Sequence, residues 1–262
     1  MRICVLMAHV PDTASVIKVG AAGNRIDEGG IKWIVSPYDE YALEEAIKLK
    51  EVRGGSVTVV TYGPKRAEAG LRECLARGAD AAVHVEGGEA VFGDALAIAK
   101  VLAAAASKVG PFDIVFAGIK GVGDDAGLVG PMVAELLDLP HVSGVIKLEI
   151  GDAAVVAERE VEGATEVYEA PLPCLITAHK GLNEPRYPSL KGIMAAKKVP
   201  IQGFKPADLG LDEAALAGAA TRWLKLELPP AKTGGTILKG EEDPAGAARE
   251  LARLLREQAK AI

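Results

Sequence analysis

Cysteine is scarce in this chain. Cys4, Cys74 and Cys174 are odd in number, far apart and without a Cys-x-x-Cys pair. That usage excludes a disulfide framework and suits a reducing, cytoplasmic-type compartment. Histidine is as sparse: His9, His84, His141 and His179 stand alone, so metal-ligand spacing is missing and each reads as structural or solvated. No apolar run reaches the roughly 18 residues that a membrane-spanning helix needs, so no membrane insertion is expected. Basic excess is lacking too. A net charge of −6 argues against a nucleic-acid surface. Spacing yields no Ser–His–Asp grouping and no paired acids, hence no candidate catalytic residue. The first seven residues are too short and strand-like for a secretion signal, and no transit peptide is evident, as a mitochondrial matrix location in a eukaryote would want.

What is present is a core. The chain has 262 residues, 49% of them hydrophobic and 25% charged, enough for one large or two small domains and unlike a disordered chain. Residues 3–10 form an apolar run of the kind buried on both faces of a parallel sheet. A glycine-rich excursion over 20–30 leads to a short strand at 32–35. Ser36 then serves as a helix cap, Pro37 suits the first helical position, and Asp39 can reach back as a capping-box acid. The helix running to residue 51 turns Leu43, Ala46 and Ile47 inward and leaves Glu44, Glu45, Lys48 and Glu51 in water. Strands at 56–62, 81–85 and 113–117 alternate with helices at 66–77, 92–108 and 126–139. This rhythm predicts an α/β fold, a mainly parallel sheet with flanking helices and right-handed crossovers.

After His141 the rhythm changes. Segments 145–150, 153–161, 165–168 and 174–178 are strand-like with no long helix between them. Gly151-Asp152 and Glu162-Gly163 suit hairpins, so antiparallel strands should extend the sheet. From Pro206 the chain loosens, with Pro229-Pro230 and Gly234-Gly235, and closes on a helix that Asp243 can cap and Pro244 can start. Leu251, Leu254, Leu255 and Ile262 form a narrow apolar stripe there. The sequence thus divides into a domain over 1–205 and an arm over 206–262, which either lies on a partner or packs back on its own chain.

Two stretches carry chemistry. Gly118-Ile119-Lys120-Gly121-Val122-Gly123-Asp124-Asp125-Ala126-Gly127 follows a strand and opens a helix, where the amides of an open α/β sheet can take a phosphate. It misses the dinucleotide spacing, and no Gly-Lys-Ser/Thr makes it a P-loop; a plain loop stays open as a reading. The ends at residues 6–9, 36–39 and 62–63 could join it at one sheet edge. The second stretch, 179–200, is stiffened by Pro185 and Pro188 and continues into a short helix over 189–198. Leu190, Ile193 and Met194 lie to one side of it, among Lys191, Lys197 and Lys198. Spacing admits two readings: an apolar face that is core, or a docking surface for an apolar pocket with an acidic rim.

Leu182-Asn183-Glu184-Pro185-Arg186-Tyr187-Pro188-Ser189-Leu190, followed by Ile193-Met194-Ala195-Ala196-Lys197-Lys198, resembles the recognition loop of the electron transfer flavoprotein β subunit. Residues 159–177 resemble that family's other signature, with Ala164 and Tyr168 departing from it, and the likeness runs from residue 2 to about 210. It implies an adenine-nucleotide-binding type of α/β domain that takes AMP. The matching positions are Leu6, Ala8, Ser36, Pro37, Tyr38, Asp39, Tyr62, Gly118 and the run Lys120, Gly121, Val122, Gly123, Asp124, Asp125, Ala126, Gly127, Leu128 and Val129. Two departures touch that site. Lys120-Gly121-Val122-Gly123 stands where the family usually has Gln-Ala-x-Asp, and Ala8-His9 stands where it has Lys and Arg, so Lys120 could supply a phosphate charge lost elsewhere. The resemblance further implies that Thr13, Arg159 and Glu160 lie near a flavin and a subunit interface, and that Arg186, Tyr187, Leu190, Ile193, Met194, Lys197 and Lys198 dock a partner. The implied assembly is an electron carrier, not an enzyme. An α subunit holds most of the FAD and bears the C-terminal arm, while flavin-dependent dehydrogenases such as acyl-CoA dehydrogenase donate and a quinone-linked oxidoreductase accepts. An electron-bifurcating form with a second FAD in place of AMP, and a free-standing stress-type nucleotide module, are the alternatives.

Overall fold

A computed structural model describes residues 1–87, 94–212, 214, 216, 220–221, 223–231 and 234–262. Its centre is a nine-stranded sheet in the order β11-β5-β4-β1-β6-β10-β7-β8-β9. The strands are β1 (Arg2–Leu6), β4 (Ser56–Gly63), β5 (Ala81–Glu86), β6 (Ile114–Gly118), β7 (His141–Ile150), β8 (Ala154–Val161), β9 (Ala164–Pro171), β10 (Cys174–Ala178) and β11 (Ile201–Phe204). From β11 to β7 every pairing is parallel; β8 and β9 add antiparallel strands through the expected hairpins. The fold is therefore α/β.

Strand β1 shows why the sheet sits at the centre of the core. Its side chains alternate between two apolar layers, Ile3 and Val5 on one face, Cys4 and Leu6 on the other. Helices α1 (Pro37–Arg53) and α2 (Glu68–Arg77) cover the first layer with Leu43, Ile47 and Leu71. Helices α3 (Ala95–Val109) and α4 (Val129–Leu136) cover the second with Val101, Leu102 and Val133. The chain builds outward from β1 to β4 and β5, then returns past β1 to β6. The order reverses between β1 and β6, and a crevice at such a reversal is where open α/β sheets bind ligands.

Several expectations are corrected. The run 3–10 is not one strand: β1 stops at Leu6, and β2 (His9–Pro11) pairs antiparallel with β3 (Trp33–Val35) in a separate small sheet. The break arises because the Ala8 amide and carbonyl both turn to the start of α1. Ser36 makes no side-chain cap and Asp39 does not close a capping box; its carboxylate serves the strand ends instead. Glu44 is buried, not in water. The helix expected over 126–139 spans only Val129–Leu136, since Asp125 and Gly127 have φ of 58° and 66° and Asp138 has 54°. A 3-10 turn, Lys65–Ala67, precedes α2. The expected start of α3 at Phe92 lies outside the described residues.

The chain divides into two units, Met1–Leu226 and Glu227–Ile262, so the division drawn at 206 falls inside the first. Within the second unit, α6 (Pro244–Glu257) begins as read: the Asp243 carboxylate accepts from the Gly246 amide at 2.8 Å, with Pro244 in the first turn. None of its residues is buried. No helix among the described residues is long and apolar enough to cross a membrane.

Candidate functional site

The crevice at the reversal is built around Asp39. One carboxylate oxygen accepts from the Ala8 amide at 2.7 Å and the other from the Gly118 amide at 2.7 Å, so the first turn of α1 is stapled to the ends of both β1 and β6. Gly118 is required by this approach: a Cβ there would lie 2.5 Å from Asp39 Oδ1 and 2.7 Å from Tyr38 Cβ. Burial pushes the Asp39 carboxyl up to about 7, against the two amides, which pull the other way. Beside it, Ser36 is fully buried and its hydroxyl has no hydrogen-bond partner among the described residues. Leu6 is core, so it can offer a ligand only backbone, while Ala8 is exposed and Tyr62 half-buried near the end of β4.

From Gly118 the loop runs to α4; the Ile119 amide donates to the Ala178 carbonyl at 2.9 Å, and beyond it the loop is held by contacts within itself. The Asp125 amide donates to the Gly121 carbonyl at 2.9 Å, and the Ala126 amide to Asp124 Oδ1 at 3.2 Å. Lys120 is paired with Asp125 at 2.6 Å and stands 5.9 Å from the Tyr38 ring centroid. Tyr38 in turn lies 5.5 Å from the His179 ring. Helix α4 is preceded by Leu128 in the N-cap position, which provides no side-chain cap. Its first amides, Val129 and Gly130, therefore have no intrahelical acceptor and suit an anion. Ala126, Gly127 and Leu128 add no side-chain donor, which leaves Lys120 as the cation of the loop.

The neighbouring strand β10 ends in register with β6, Ala178 opposite Gly118, and delivers the 182–198 segment. The structure excludes the core reading for most of its helix, α5 (Leu190–Ala196). Only Ala196 is buried; Tyr187 is 92% exposed, Leu190 84%, Met194 61% and Ile193 39%. Lys191, Lys197 and Lys198 are exposed around them and make no ion pair among the described residues. Arg186 is engaged elsewhere: its guanidinium holds Glu44 at 2.9 Å and Glu51 at 2.6 Å on α1, and these carboxylates keep it well above its usual range.

Arg159 and Glu160 lie on β8, where Arg159 is opposite Val145 of β7 and so level with Ala178 and Gly118 across the sheet. Arg159 meets Glu166 at 3.4 Å and the Tyr168 ring at 6.0 Å, while Thr13 is exposed in the turn after β2. His84 is buried, with Nε2 2.9 Å from the Gly63 carbonyl oxygen, as a structural histidine should be. The three cysteines are unpaired and buried.

Residues 24–209 match the family profile described as Electron transfer flavoprotein domain. Over 263 aligned residues the chain is 44% identical to the Electron transfer flavoprotein subunit beta of Bacillus subtilis, covering all of both chains. The chain belongs to the electron transfer flavoprotein family, among its β subunits. It is also 40% identical to the Caffeyl-CoA reductase-Etf complex subunit CarD of Acetobacterium woodii, over 92% of each chain. Protein FixA of Azotobacter vinelandii is 37% identical over 83% of this chain and 79% of its own. Membership of this family makes the chain an electron-transfer subunit that works with flavin and with an α subunit. Sequence reasoning missed the strand-stapling role of Asp39, the burial of Glu44 and the place of His179 against Tyr38. The first and third needed the strand ends in space; the second needed a partner 142 residues away.

Proposed function

We propose that this chain is the β subunit of a heterodimeric electron transfer flavoprotein, a carrier that receives electrons from dehydrogenases and delivers them to a quinone-linked oxidoreductase. The observation that carries the reading is the 182–198 segment, whose leucine, isoleucine and methionine stand in water amid unpaired lysines. A burial-driven chain exposes such a cluster where another protein covers it. Acyl-CoA dehydrogenase, an apolar-pocket partner with an acidic rim, is the expected donor. FAD, held mainly by the α subunit, supplies the redox chemistry; Thr13, Arg159 and Glu160 are its expected neighbours from this chain. The arm over 206–262, ending in α6 with none of that helix's residues buried, lies on the α subunit. Relatives from bacteria and the three unpaired cysteines support a cytoplasmic setting.

For the strand-end crevice the proposed ligand is AMP. The residues fit a mononucleotide: uncapped amides at α4 and Lys120 for its phosphate, the orphaned Ser36 hydroxyl and Tyr38 for the rest. A second reading, a second FAD there in an electron-bifurcating form, is supported by the likeness to CarD. A free-standing stress-type module leaves the exposed docking segment without a use. Mass spectrometry of the nucleotide released from purified heterodimer tests all three. One AMP and one FAD per heterodimer is the expected result, two FAD favours bifurcation, and a crevice ligand of neither kind overturns the assignment.

A further inference from the structure

The docking helix α5 is seven residues long and buries one of them. A helix that short is marginal by its own hydrogen bonds, and apolar packing holds it mainly at Ala196, because Leu190 and Met194 point outward. What adds to that hold is charge. Ahead of the helix, Arg186 uses its whole fork. Its backbone amide, Nε and one Nη reach Glu44 at 2.9–3.2 Å, and both Nη atoms reach Glu51 at 2.6 and 3.0 Å. Asn183 adds bonds to the Tyr41 carbonyl at 3.0 Å and to Glu45 at 2.9 Å. Behind the helix, Arg72 of α2 donates to the Ala196 carbonyl at 2.6 Å, at the helix end, and to that of Val199 just beyond it. Between the two, α5 rests on α2 by backbone: a Cβ on Gly192 would lie 2.2 Å from the Ala76 oxygen.

We infer that Arg186 and Arg72 are the positioning residues of the docking surface, two guanidinium clamps that hold the segment from beneath so that Leu190, Ile193 and Met194 meet a partner already ordered. The inference rests on the docking reading given above. A fork shared between two carboxylates fixes direction as well as distance, which one ammonium cannot do. Without the clamps the partner would have to order the segment at the moment of binding, and affinity would fall although every contacting side chain remained. The partner's recognising chemistry is an apolar pocket rimmed by carboxylates, since Lys191, Lys197 and Lys198 are left unpaired while the glutamates below are fully used.

The test uses the flavin-loaded heterodimer and an acyl-CoA dehydrogenase reduced by its own substrate, with flavin reduction followed against dehydrogenase concentration. Hydrogen exchange over 190–198 and flavin content are measured in parallel. Arg186→Lys and Arg72→Met should each raise KM about tenfold, a cost of the size expected for re-ordering a few side chains, with kcat within about twofold and flavin unchanged. Exchange in the segment should speed up by a similar factor. Arg72→Lys should restore most of the KM, because an ammonium can still serve two carbonyls. If Arg186→Lys fails to fold, Glu44→Met combined with Arg186→Met removes the clamp without stranding a buried charge and should show the same split. An unchanged KM in the clamp variants, beside a raised KM in Leu190→Ala, overturns the clamps and spares the docking reading. An unchanged KM in Leu190→Ala overturns the docking reading itself.

Discussion

Two loops leave this sheet side by side, from β6 and β10 in register, and they are built by opposite means. Beyond Ile119 the 118–128 loop is rich in glycine, closes on itself by bonds of two to five residues' reach, and offers backbone amides and one lysine. The 182–198 segment is tied to α1 and α2 by bonds that span more than a hundred residues, and it offers side chains. The difference follows from what each is proposed to meet. A phosphate is read by N–H groups, so a loop for it must keep its backbone unspent, and small residues let that backbone approach. A protein pocket is filled by apolar side chains, so the backbone of a docking segment can be bolted down.

Predictions that break or sharpen this contrast can be ordered by size. Leu190→Ala should weaken docking by about 10- to 150-fold, the burial of one leucine side chain at roughly 1.5–3 kcal/mol. Nucleotide content and thermal unfolding should stay put; an unfolded variant would make Leu190 core and erase the contrast. Gly127→Val places a β-branched residue at φ +66°, which costs ~1–2 kcal/mol. Roughly tenfold weaker nucleotide retention, measured by dialysis and mass spectrometry, should follow, with KM for the dehydrogenase unmoved. A fall in docking as well would show that the loops are not separate.

Asp39 belongs to the crevice side of the comparison and gives it a pH dependence. Its folded carboxyl titrates near 7 rather than the ordinary 3.8, so the folded chain holds that proton more tightly than the unfolded chain. Its contribution is fully present below about pH 4 and is lost as pH rises through about 7. Urea unfolding of wild type across that window should show the decline. Asp39→Asn should flatten it and lose ~1 kcal/mol at low pH, because an amide nitrogen then faces one of the two strand-end amides. The smallest effect is expected at Asp125, an exposed partner of Lys120. Asp125→Asn should strengthen phosphate binding about two- to threefold at low salt and not at high salt, as a surface charge does.

Much of this was legible because it is local. The order of strands and helices, the Gly151-Asp152 and Glu162-Gly163 hairpins and the Asp243-Pro244 helix start each depend on neighbours in the chain; the order holds with some bounds moved, and the hairpins and helix start stand at the expected residues. Glu44 was not legible: periodicity puts it beside Glu45 on the wet face of α1, and only Arg186, folded over it from β10, makes burial tolerable. The break after Leu6 was hidden for the same reason, since the apolar run continues to Val10 while the backbone of Ala8 is claimed by Ser36 and Asp39. In the crevice, residue types pointed to the edge, but the Asp39 staple required knowing that β1 and β6 are neighbours.

Helix α1 meets both of these regions. Asp39 grips the strand ends in its first turn, and Glu44 and Glu51 grip the docking segment further along. At ~1.5 Å and ~100° per residue, the count of residues between them sets both a separation and an angle. One residue inserted between Asp39 and Glu44 would swing the glutamates away from Arg186 by more than a quarter turn, with no contact residue changed. The helix therefore acts as a gauge, and its length is as much a part of the design as any side chain on it.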